Sequence, residues 1–212
     1  MARPIGLGQT RHMGPPRSAA VARCESPPEA APGPDPVLAA RPVGTEIDTA
    51  RGPWGLATAT FDRTRRYRFR LSRVWDPGRP RVCFVMLNPS TADALVLDPT
   101  VRRCAGYAQD WGFGAFEVTN VFALRSTDPT ALRQVEDPVG PGNDDAILTA
   151  ALAADRVICA WGTHATHRGR HTEVNGLLRG AGVTTEVLRL TKEGLPGHPL
   201  YLPRSATPIP AP

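Results

Sequence analysis

Lysine is nearly absent from this 212-residue chain, in which Lys192 is the one lysine among 25 lysine and arginine residues. Such a bias, together with abundant alanine, glycine and proline, is typical of a GC-rich genome. The formal net charge of +5 is therefore weak evidence for nucleic-acid binding. The chain also lacks a run of about 20 apolar residues that could span a membrane, and its N-terminus lacks the apolar segment of a secretory signal. We expect a cytoplasmic protein with no membrane partner.

Cysteine is scarce too, and no two cysteines are spaced as in zinc or iron–sulfur sites. Cys83 and Cys159 lie in apolar runs that predict buried strands, where cysteine acts as a small hydrophobic residue. Three histidines, His164, His167 and His171, would share one face of a predicted helix. No carboxylate or cysteine is spaced to complete a metal site there, and nearby arginines would repel a cation. We expect no metal and no cofactor.

Aromatic residues make up only 6% of the chain, and the N-terminal region is especially poor in them. Residues 1–45 are rich in proline, alanine and small polar residues, so they cannot bury enough apolar area to offset the entropy of ordering. We expect a disordered tail there, unless a start codon assigned too far upstream makes part of it an artefact. A single α/β domain is predicted over residues 54–203, followed by a disordered C-terminal tail over residues 204–212.

Arginine is concentrated at the start of the predicted domain. Residues 58–61 and 67–74 predict an antiparallel hairpin, and arginines alternate with apolar residues along its second arm, at Arg66, Arg68 and Arg70. This alternation favours an edge strand with a solvated arginine face, which would also discourage aggregation. The alternative interpretation is a basic stripe that binds phosphates.

Beyond residue 80, apolar runs alternate with helix-start signals. Continuous apolar runs predict buried strands, and Asp-Pro pairs predict helix starts. The predicted strands are 81–87, 116–122, 156–161 and 183–190, and the predicted helices are 98–110, 143–154 and 165–178. This alternation predicts a three-layer α/β fold with a mostly parallel central sheet and an N-terminal antiparallel hairpin.

In open parallel sheets, ligands bind at the carboxyl ends of the strands. The segments that follow the predicted strands are polar or rich in glycine and proline, and we expect them to converge on one crevice: 88–91, 120–127, 161–164 and 192–201. Asn88 directly follows a buried strand, and Pro89 keeps it out of helical geometry. Its amide could orient a water or bind the edge of a base or sugar, or it could simply cap the strand end in an Asx turn.

Two further residues of these loops are candidates. His198 lies beside a proline that restricts the loop, so it could donate a hydrogen bond to developing negative charge or act as an acid–base group. It could equally be an ordinary histidine of a surface loop. Asp93, in the same loop as Asn88, could be a second polar group of the site.

A series of short motifs resembles domain-of-unknown-function family 1643 of bacteria. The resemblance runs from about residue 67 to residue 202, with Val121 where the family usually has leucine. The motifs, in order, are MLNPSTAD at 86–93, DPTVRR at 98–103, WGFG at 111–114, NVFA at 120–123, TDP at 127–129, DPVGP at 137–141, WG at 161–162 and HPLY at 198–201.

The order of the motifs also resembles, more distantly, the uracil-DNA glycosylase superfamily. Asn88 is similar to the asparagine of the loop that positions the attacking water, although Met86 and Ser90 replace its flanking glycines. Asn120 is similar to the asparagine that reads the base. His198 is similar to the histidine that stabilises the departing base anion, in a loop whose following leucine wedges into the duplex.

This second resemblance implies a hydrolase of the N-glycosidic bond of a nucleobase, in DNA or in a nucleotide. Asn88 and His198 would be catalytic, and Tyr201 or Phe122 could stack on the base. The substrate-binding residues would be Pro89, Ser90, Asp93, Asn120, Arg125, Thr127, Trp161, Leu200 and Tyr201. The alternatives are a non-catalytic module that binds a nucleotide or modified base, and a hydrolase of a small nucleotide that does not bind a duplex.

Overall fold

The computed structural model describes Met1 and residues 44–212, so the predicted N-terminal tail lies almost entirely outside the described residues. The described strands are β1 (Thr45–Gly52), β2 (Gly55–Asp62), β3 (Arg68–Val74), β4 (Arg81–Met86), β5 (Ala115–Asn120), β6 (Arg156–Cys159), β7 (Thr185–Val187) and β8 (Ile209–Pro210). The α-helices are α1 (Pro99–Asp110), α2 (Asn143–Leu152) and α3 (Arg170–Gly180), and short 3-10 helices span Pro129–Arg133, Thr163–Gly169 and Pro199–Tyr201.

The strands form one mixed sheet in the order β1-β2-β3-β5-β4-β6-β7-β8. Its four central strands, β5, β4, β6 and β7, run parallel to one another. The pairings on both sides of this centre are antiparallel. The α/β class is therefore confirmed, but the expectation of a mostly parallel sheet is wrong. The difference arises because β1 and β8 add antiparallel edge strands from segments that the sequence pattern does not mark as strands.

The predicted hairpin is present as β2 and β3, but β3 lies inside the sheet, between β2 and β5. Arg68 and Arg70 are consequently buried, with 1% and 2% of their surface exposed. The interpretation of β3 as an edge strand with a solvated arginine face is therefore wrong. Arg70 instead forms a buried ion pair with Glu117 of the neighbouring strand.

Helices cover both faces of the parallel strands. Helix α1 packs Val101 and Tyr107 into one apolar cluster with Phe84 of β4, whereas α2 and α3 pack against the opposite face. Helix α1 begins as the Asp-Pro pair predicts, because an Asp98 carboxylate oxygen accepts a hydrogen bond from the Val101 N–H at 2.8 Å. None of the helices in residues 44–212 is long and apolar enough to cross a membrane.

The third predicted helix is interrupted. The segment Thr163–Gly169 is a 3-10 turn with non-helical dihedrals at His167 and Arg168, and helix α3 starts only at Arg170. Arg168 has a φ of +54° and donates hydrogen bonds to the carbonyl oxygens of Glu136 and Val135, at 2.6 and 3.1 Å. This kink means that the three histidines of the segment do not share one helical face.

The C-terminal segment also differs from the sequence-based expectation of a tail. Within residues 204–212, β8 pairs with β7 and places Ile209 opposite Val187. Arg204 forms a two-bonded ion pair with Asp110 at the end of α1, with both distances 2.8 Å. Sequence patterning misses this strand because it is only two residues long and contains Pro210, a residue confined to edge strands.

Candidate functional site

A cavity of about 470 Å³ opens at the carboxyl ends of the parallel strands. Asn88 follows β4, Asn120 ends β5, Trp161 follows β6 and Arg189 follows β7, and all four line this cavity. Strands β5 and β6 lie on opposite sides of β4, so the chain direction across the sheet reverses here. Such a reversal leaves a crevice between the loops, which is where open α/β sheets bind ligands.

Most of the site residues predicted from the sequence meet at this cavity. Those that line it are Asn88, Ser90, Asn120, Thr127, Trp161, His198, Leu200 and Tyr201. Asp93 is not among them, because its carboxylate accepts hydrogen bonds from the backbone N–H groups of Leu95 and Val96, both at 2.8 Å. Arg125 also lies elsewhere, with its guanidinium 5.1 Å from the centre of the Phe61 ring. Both residues shape loops beside the cavity.

Pro89 does not line the cavity but fixes the orientation of Asn88. The Asn88 Nδ2 donates to the carbonyl oxygens of Pro89 and Ser126, at 3.0 and 2.8 Å. Because these two bonds use the amide donors, the side-chain oxygen is the group of Asn88 that remains available for a ligand. An amide oxygen accepts hydrogen bonds, so Asn88 can hold a water molecule by one of its protons.

His198 is positioned as a hydrogen-bond donor. Its Nδ1 accepts from the Leu200 N–H at 3.4 Å, so the neutral ring carries its proton on Nε2. Burial lowers the pKa of His198 below its usual value, and the negative charge of Asp98 opposes this shift. The imidazole is therefore neutral at pH 7, with its Nε2–H free to donate.

Two glycines hold the His198 loop against the sheet. The Gly197 N–H donates to the Arg189 carbonyl oxygen at 2.7 Å, and a Cβ at Gly197 would lie only 3.1 Å from that oxygen. Gly162 has a φ of +73° and donates its N–H to the Pro196 carbonyl oxygen at 2.9 Å. The strand end after β6 and the His198 loop are thus joined through backbone contacts that a side chain would disturb.

The two aromatic residues predicted to stack on a base differ in position. Tyr201 lines the cavity, is 78% exposed and has its ring centre 5.5 Å from that of His198. Phe122 is completely buried and packs against His167, with 5.9 Å between ring centres. Tyr201 can therefore stack on a ligand at the mouth of the cavity, and Phe122 cannot.

Three residues that line the cavity carry buried hydrogen-bond donors. Arg68 Nε, Asn120 Nδ2 and Trp161 Nε1 are each buried and make no hydrogen bond within the part of the chain that the structure describes. Arg68 reaches this rim because β3 is antiparallel to β5, so the start of β3 lies beside the end of β5. Burial lowers the pKa of Arg68 to about 10, which leaves it cationic at neutral pH.

Sequence reasoning assigned Arg68 to a solvated strand face or a phosphate-binding stripe rather than to this cavity, and it missed several other lining residues. Arg66 and Arg68 both alternate with apolar residues, so no local pattern separates the exposed one from the buried one. The other missed residues include Asp98, Thr100, Ser126, His164, Arg189 and Thr191. The Asp-Pro pair at Asp98 predicts the start of a helix but not a place at the cavity. Capping that helix uses one of the two Asp98 carboxylate oxygens.

A second, more open groove of about 830 Å³ lies beside the cavity, and Leu200 lines both. We call it the arginine groove, because its lining includes Arg73, Arg102, Arg103 and Arg204. Trp54 also lines it, and its ring centre lies 4.1 Å from the Arg73 guanidinium carbon. The groove therefore combines positive charge with an aromatic ring.

The three described cysteines do not line the cavity. Cys83, Cys104 and Cys159 are all buried, and burial raises the pKa of Cys159 to about 12, so its thiolate is not available at neutral pH. Across Met1 and residues 44–212, no group of three histidine, cysteine, aspartate or glutamate side chains could hold a metal ion.

Comparison with known proteins identifies one family whose model matches this chain. A family model described as "Protein of unknown function (DUF1643)" matches residues 68–200, a span that includes β3 to β7 and most of the residues that line the cavity. No curated protein and no solved structure matches the chain. The first resemblance drawn from the sequence motifs is therefore confirmed.

Proposed function

This chain belongs to the DUF1643 family, and we propose that it hydrolyses the N-glycosidic bond between a nucleobase and its sugar. The order of its motifs resembles that of the uracil-DNA glycosylase superfamily. The observation that carries the proposal is that Asn88, Asn120 and His198, which are far apart in the sequence, line one cavity. These are the residues to which that resemblance assigns the water, the base and the leaving group.

In this reaction the bond between the sugar and the base breaks and the electron pair leaves with the base. Asn88 holds the water that attacks the sugar carbon, by accepting one of its hydrogen bonds. An amide is a poor base, so Asn88 orients the water rather than deprotonating it. The proton that the water loses passes through solvent to the departing base anion, and the products are a sugar hydroxyl and the free base. The Pro89 and Ser126 carbonyl oxygens keep the amide in the required orientation.

His198 stabilises the departing base. Its neutral ring donates the Nε2–H to the oxygen or nitrogen on which negative charge develops, as a preorganised donor does in other active sites. The lowered pKa of His198 keeps it in this form at pH 7. Asn120 donates its free Nδ2 hydrogens to the edge of the base, and Tyr201 stacks at the mouth.

We infer that the substrate is a nucleic-acid strand. The arginine groove continues from the cavity past Leu200, where phosphates on either side of an extruded base would lie. Arg68 and Arg70 of the hairpin are buried, so phosphate contacts fall instead to the groove arginines. Leu200, shared by cavity and groove, is placed to occupy the gap that the extruded base leaves.

The second candidate function is a module that binds a modified base without hydrolysing it. One observation favours it: Asp98 is the only carboxylate among the described residues that line the cavity, and one of its oxygens caps α1. The cavity therefore offers little general-base capacity, whereas its buried donors suit binding.

One experiment separates these functions. The protein is incubated with oligonucleotides that carry modified bases and with the matching nucleotides, and free base is measured by mass spectrometry. We expect base release from a strand, loss of release in Asn88→Ala, and normal release in the control Asn175→Ala, which changes an exposed asparagine of α3. Saturable binding without release would instead support the binding module. Equal release by Asn88→Ala and the unmodified protein would refute the assigned role.

A further inference from the structure

Arg68 is a buried cation with no carboxylate partner. Its side chain is 1% exposed, and Nη1 donates to the Ala92 carbonyl oxygen at 2.6 Å. Within residues 44–212, Nε makes no hydrogen bond, and no carboxylate lies within 4 Å of the guanidinium. Arg70, two residues further along the same strand, has the ion pair with Glu117 that Arg68 lacks. The negative charges of Asp98 and Asp93 act on Arg68 only from beyond 4 Å, so the cost of burying its charge is incompletely offset and calls for a reason.

The surroundings of Arg68 supply that reason. Asn120 and Trp161 line the same cavity, and their buried Nδ2 and Nε1 atoms likewise make no hydrogen bond within the described residues. All three groups donate. A ligand that reaches them must therefore offer acceptors, and the fixed positive charge of the guanidinium favours acceptors that are negatively charged.

We propose that Arg68, Asn120 and Trp161 form a binding site for the anionic edge of a nucleobase, one that carries a carboxylate or an ionised imide. This inference rests on the proposed function, because it names the class of base that enters the cavity. A guanidinium matches the two oxygens of a carboxylate in geometry as well as in charge. The amide and the indole then donate to the ring carbonyl oxygens, so that every buried donor gains a partner.

The other charged groups of the cavity are consistent with this polarity. Arg189 adds positive charge and Asp98 adds negative charge. The Asp98 carboxylate is partly neutralised by its role at the α1 N-terminus, where one oxygen accepts the Val101 N–H. The cavity is therefore cationic on balance, and a base with a donor edge, such as that of cytosine or adenine, would leave its own donors facing donors.

The test is a binding titration by calorimetry with 5-carboxyuracil, uracil, cytosine and inorganic phosphate. We expect 5-carboxyuracil to bind more tightly than uracil, on the order of 10- to 100-fold, as a charge-assisted hydrogen bond provides. Arg68→Met should remove this preference, and the control Arg66→Met, which changes an exposed arginine two residues away, should keep it. Phosphate that binds as tightly as 5-carboxyuracil would overturn the assignment to a nucleobase.

A purely structural role for Arg68 predicts a different result. If Arg68 serves only stability, Arg68→Met lowers the melting temperature and leaves the preference for 5-carboxyuracil intact. If Arg68 serves the ligand, Arg68→Met removes the preference for 5-carboxyuracil, and loss of a buried charge that has no carboxylate within 4 Å leaves the melting temperature of the free protein unchanged or higher. Should Arg68→Met fail to fold, Trp161→Phe removes one donor and keeps the ring. Loss of affinity for 5-carboxyuracil in that variant supports the site, and unchanged affinity overturns it.

These measurements are independent of catalysis. Selective binding of 5-carboxyuracil without release of any base would refute the proposed hydrolysis and support the anion site. Release of neutral bases only, with no preference for 5-carboxyuracil, would refute the anion site and support the hydrolysis.

Discussion

The buried ion pair between Arg70 and Glu117 joins β3 to β5, and its removal tests how much it contributes to the stability of the sheet. Glu117 is completely buried and Arg70 is 2% exposed, and the Arg70 Nε donates to a Glu117 carboxylate oxygen. Arg81 Nη1 lies 3.7 Å from the other carboxylate oxygen. Replacing Glu117 with glutamine keeps the shape of the side chain but removes the negative charge that faces both arginines.

We expect Glu117→Gln to lower the free energy of unfolding by about 3–5 kcal/mol, because it leaves a buried guanidinium without its counter-charge. A loss of that size is a large share of the stability of a domain of this length, which is about 5–15 kcal/mol. The assay is urea denaturation at pH 7, followed by circular dichroism and by tryptophan fluorescence. The two signals must change together for the two-state treatment to hold.

The control is a second ion pair of the same sheet. Arg156 Nε lies 2.8 Å from a Glu186 carboxylate oxygen, but their side chains are 38% and 23% exposed. Glu186→Gln should therefore cost no more than about 1 kcal/mol. The double variant Arg70→Met/Glu117→Leu should recover most of the loss caused by Glu117→Gln, since an apolar pair of similar volume avoids the desolvation of two charges. Equal effects of Glu117→Gln and Glu186→Gln would show that burial of the pair does not decide its contribution.

Three further predictions concern the cavity rim and the groove. Gly162→Ala should lower the free energy of unfolding in urea by about 1–3 kcal/mol, because its φ of +73° strains any residue with a Cβ. The pKa of His198 is lower in the folded protein than its unfolded value of 6.5. The unfolded state therefore binds a proton more readily, and protonation below pH 6.5 favours unfolding. We expect the unmodified protein to lose stability relative to His198→Gln as the pH falls below 6.5, in denaturation curves measured from pH 7.5 to 5. If the groove binds phosphates, the double variant Arg102→Ala/Arg103→Ala should weaken strand binding, measured by fluorescence anisotropy. The slope of log affinity against log salt concentration should become shallower by the amount that about one to two phosphate contacts contribute. An unchanged salt slope would exclude these arginines from the contact.

The parallel centre of the sheet was predictable because its strands are buried on both faces. Residues 82–87 form an uninterrupted apolar run, and the Asp98-Pro99 pair marks the next helix, so the strand and its crossover could be located from the sequence pattern. Once β4 and β5 are parallel, the loops that follow them must lie on the same edge. The meeting of Asn88 and Asn120 at one cavity follows from that geometry.

The antiparallel side of the sheet was not predictable in the same way. The alternation of arginine with apolar residues along β3 predicts that its two faces differ in polarity. It does not predict whether the polar face contacts water or a buried glutamate. Glu117 lies 47 positions from Arg70 in the chain, and no local pattern connects them. The kink at Arg168 was missed for a similar reason, because its partners are carbonyl oxygens of the distant residues Val135 and Glu136.

The same limitation explains why the sequence pattern assigned Arg68 to a strand face and not to the cavity. Functional candidates were sought where parallel strands end, and Arg68 lies where an antiparallel strand begins. Both positions occupy one edge of the sheet, so a mixed sheet brings to its binding edge the starts of some strands as well as the ends of others. Arg68 is held there through its backbone N–H, which donates to the Ala123 carbonyl oxygen of the segment after β5 at 2.9 Å. Its side chain is held through Nη1, which donates to the Ala92 carbonyl oxygen. Candidate residues in mixed sheets should therefore be sought at the starts of antiparallel strands that neighbour the parallel centre.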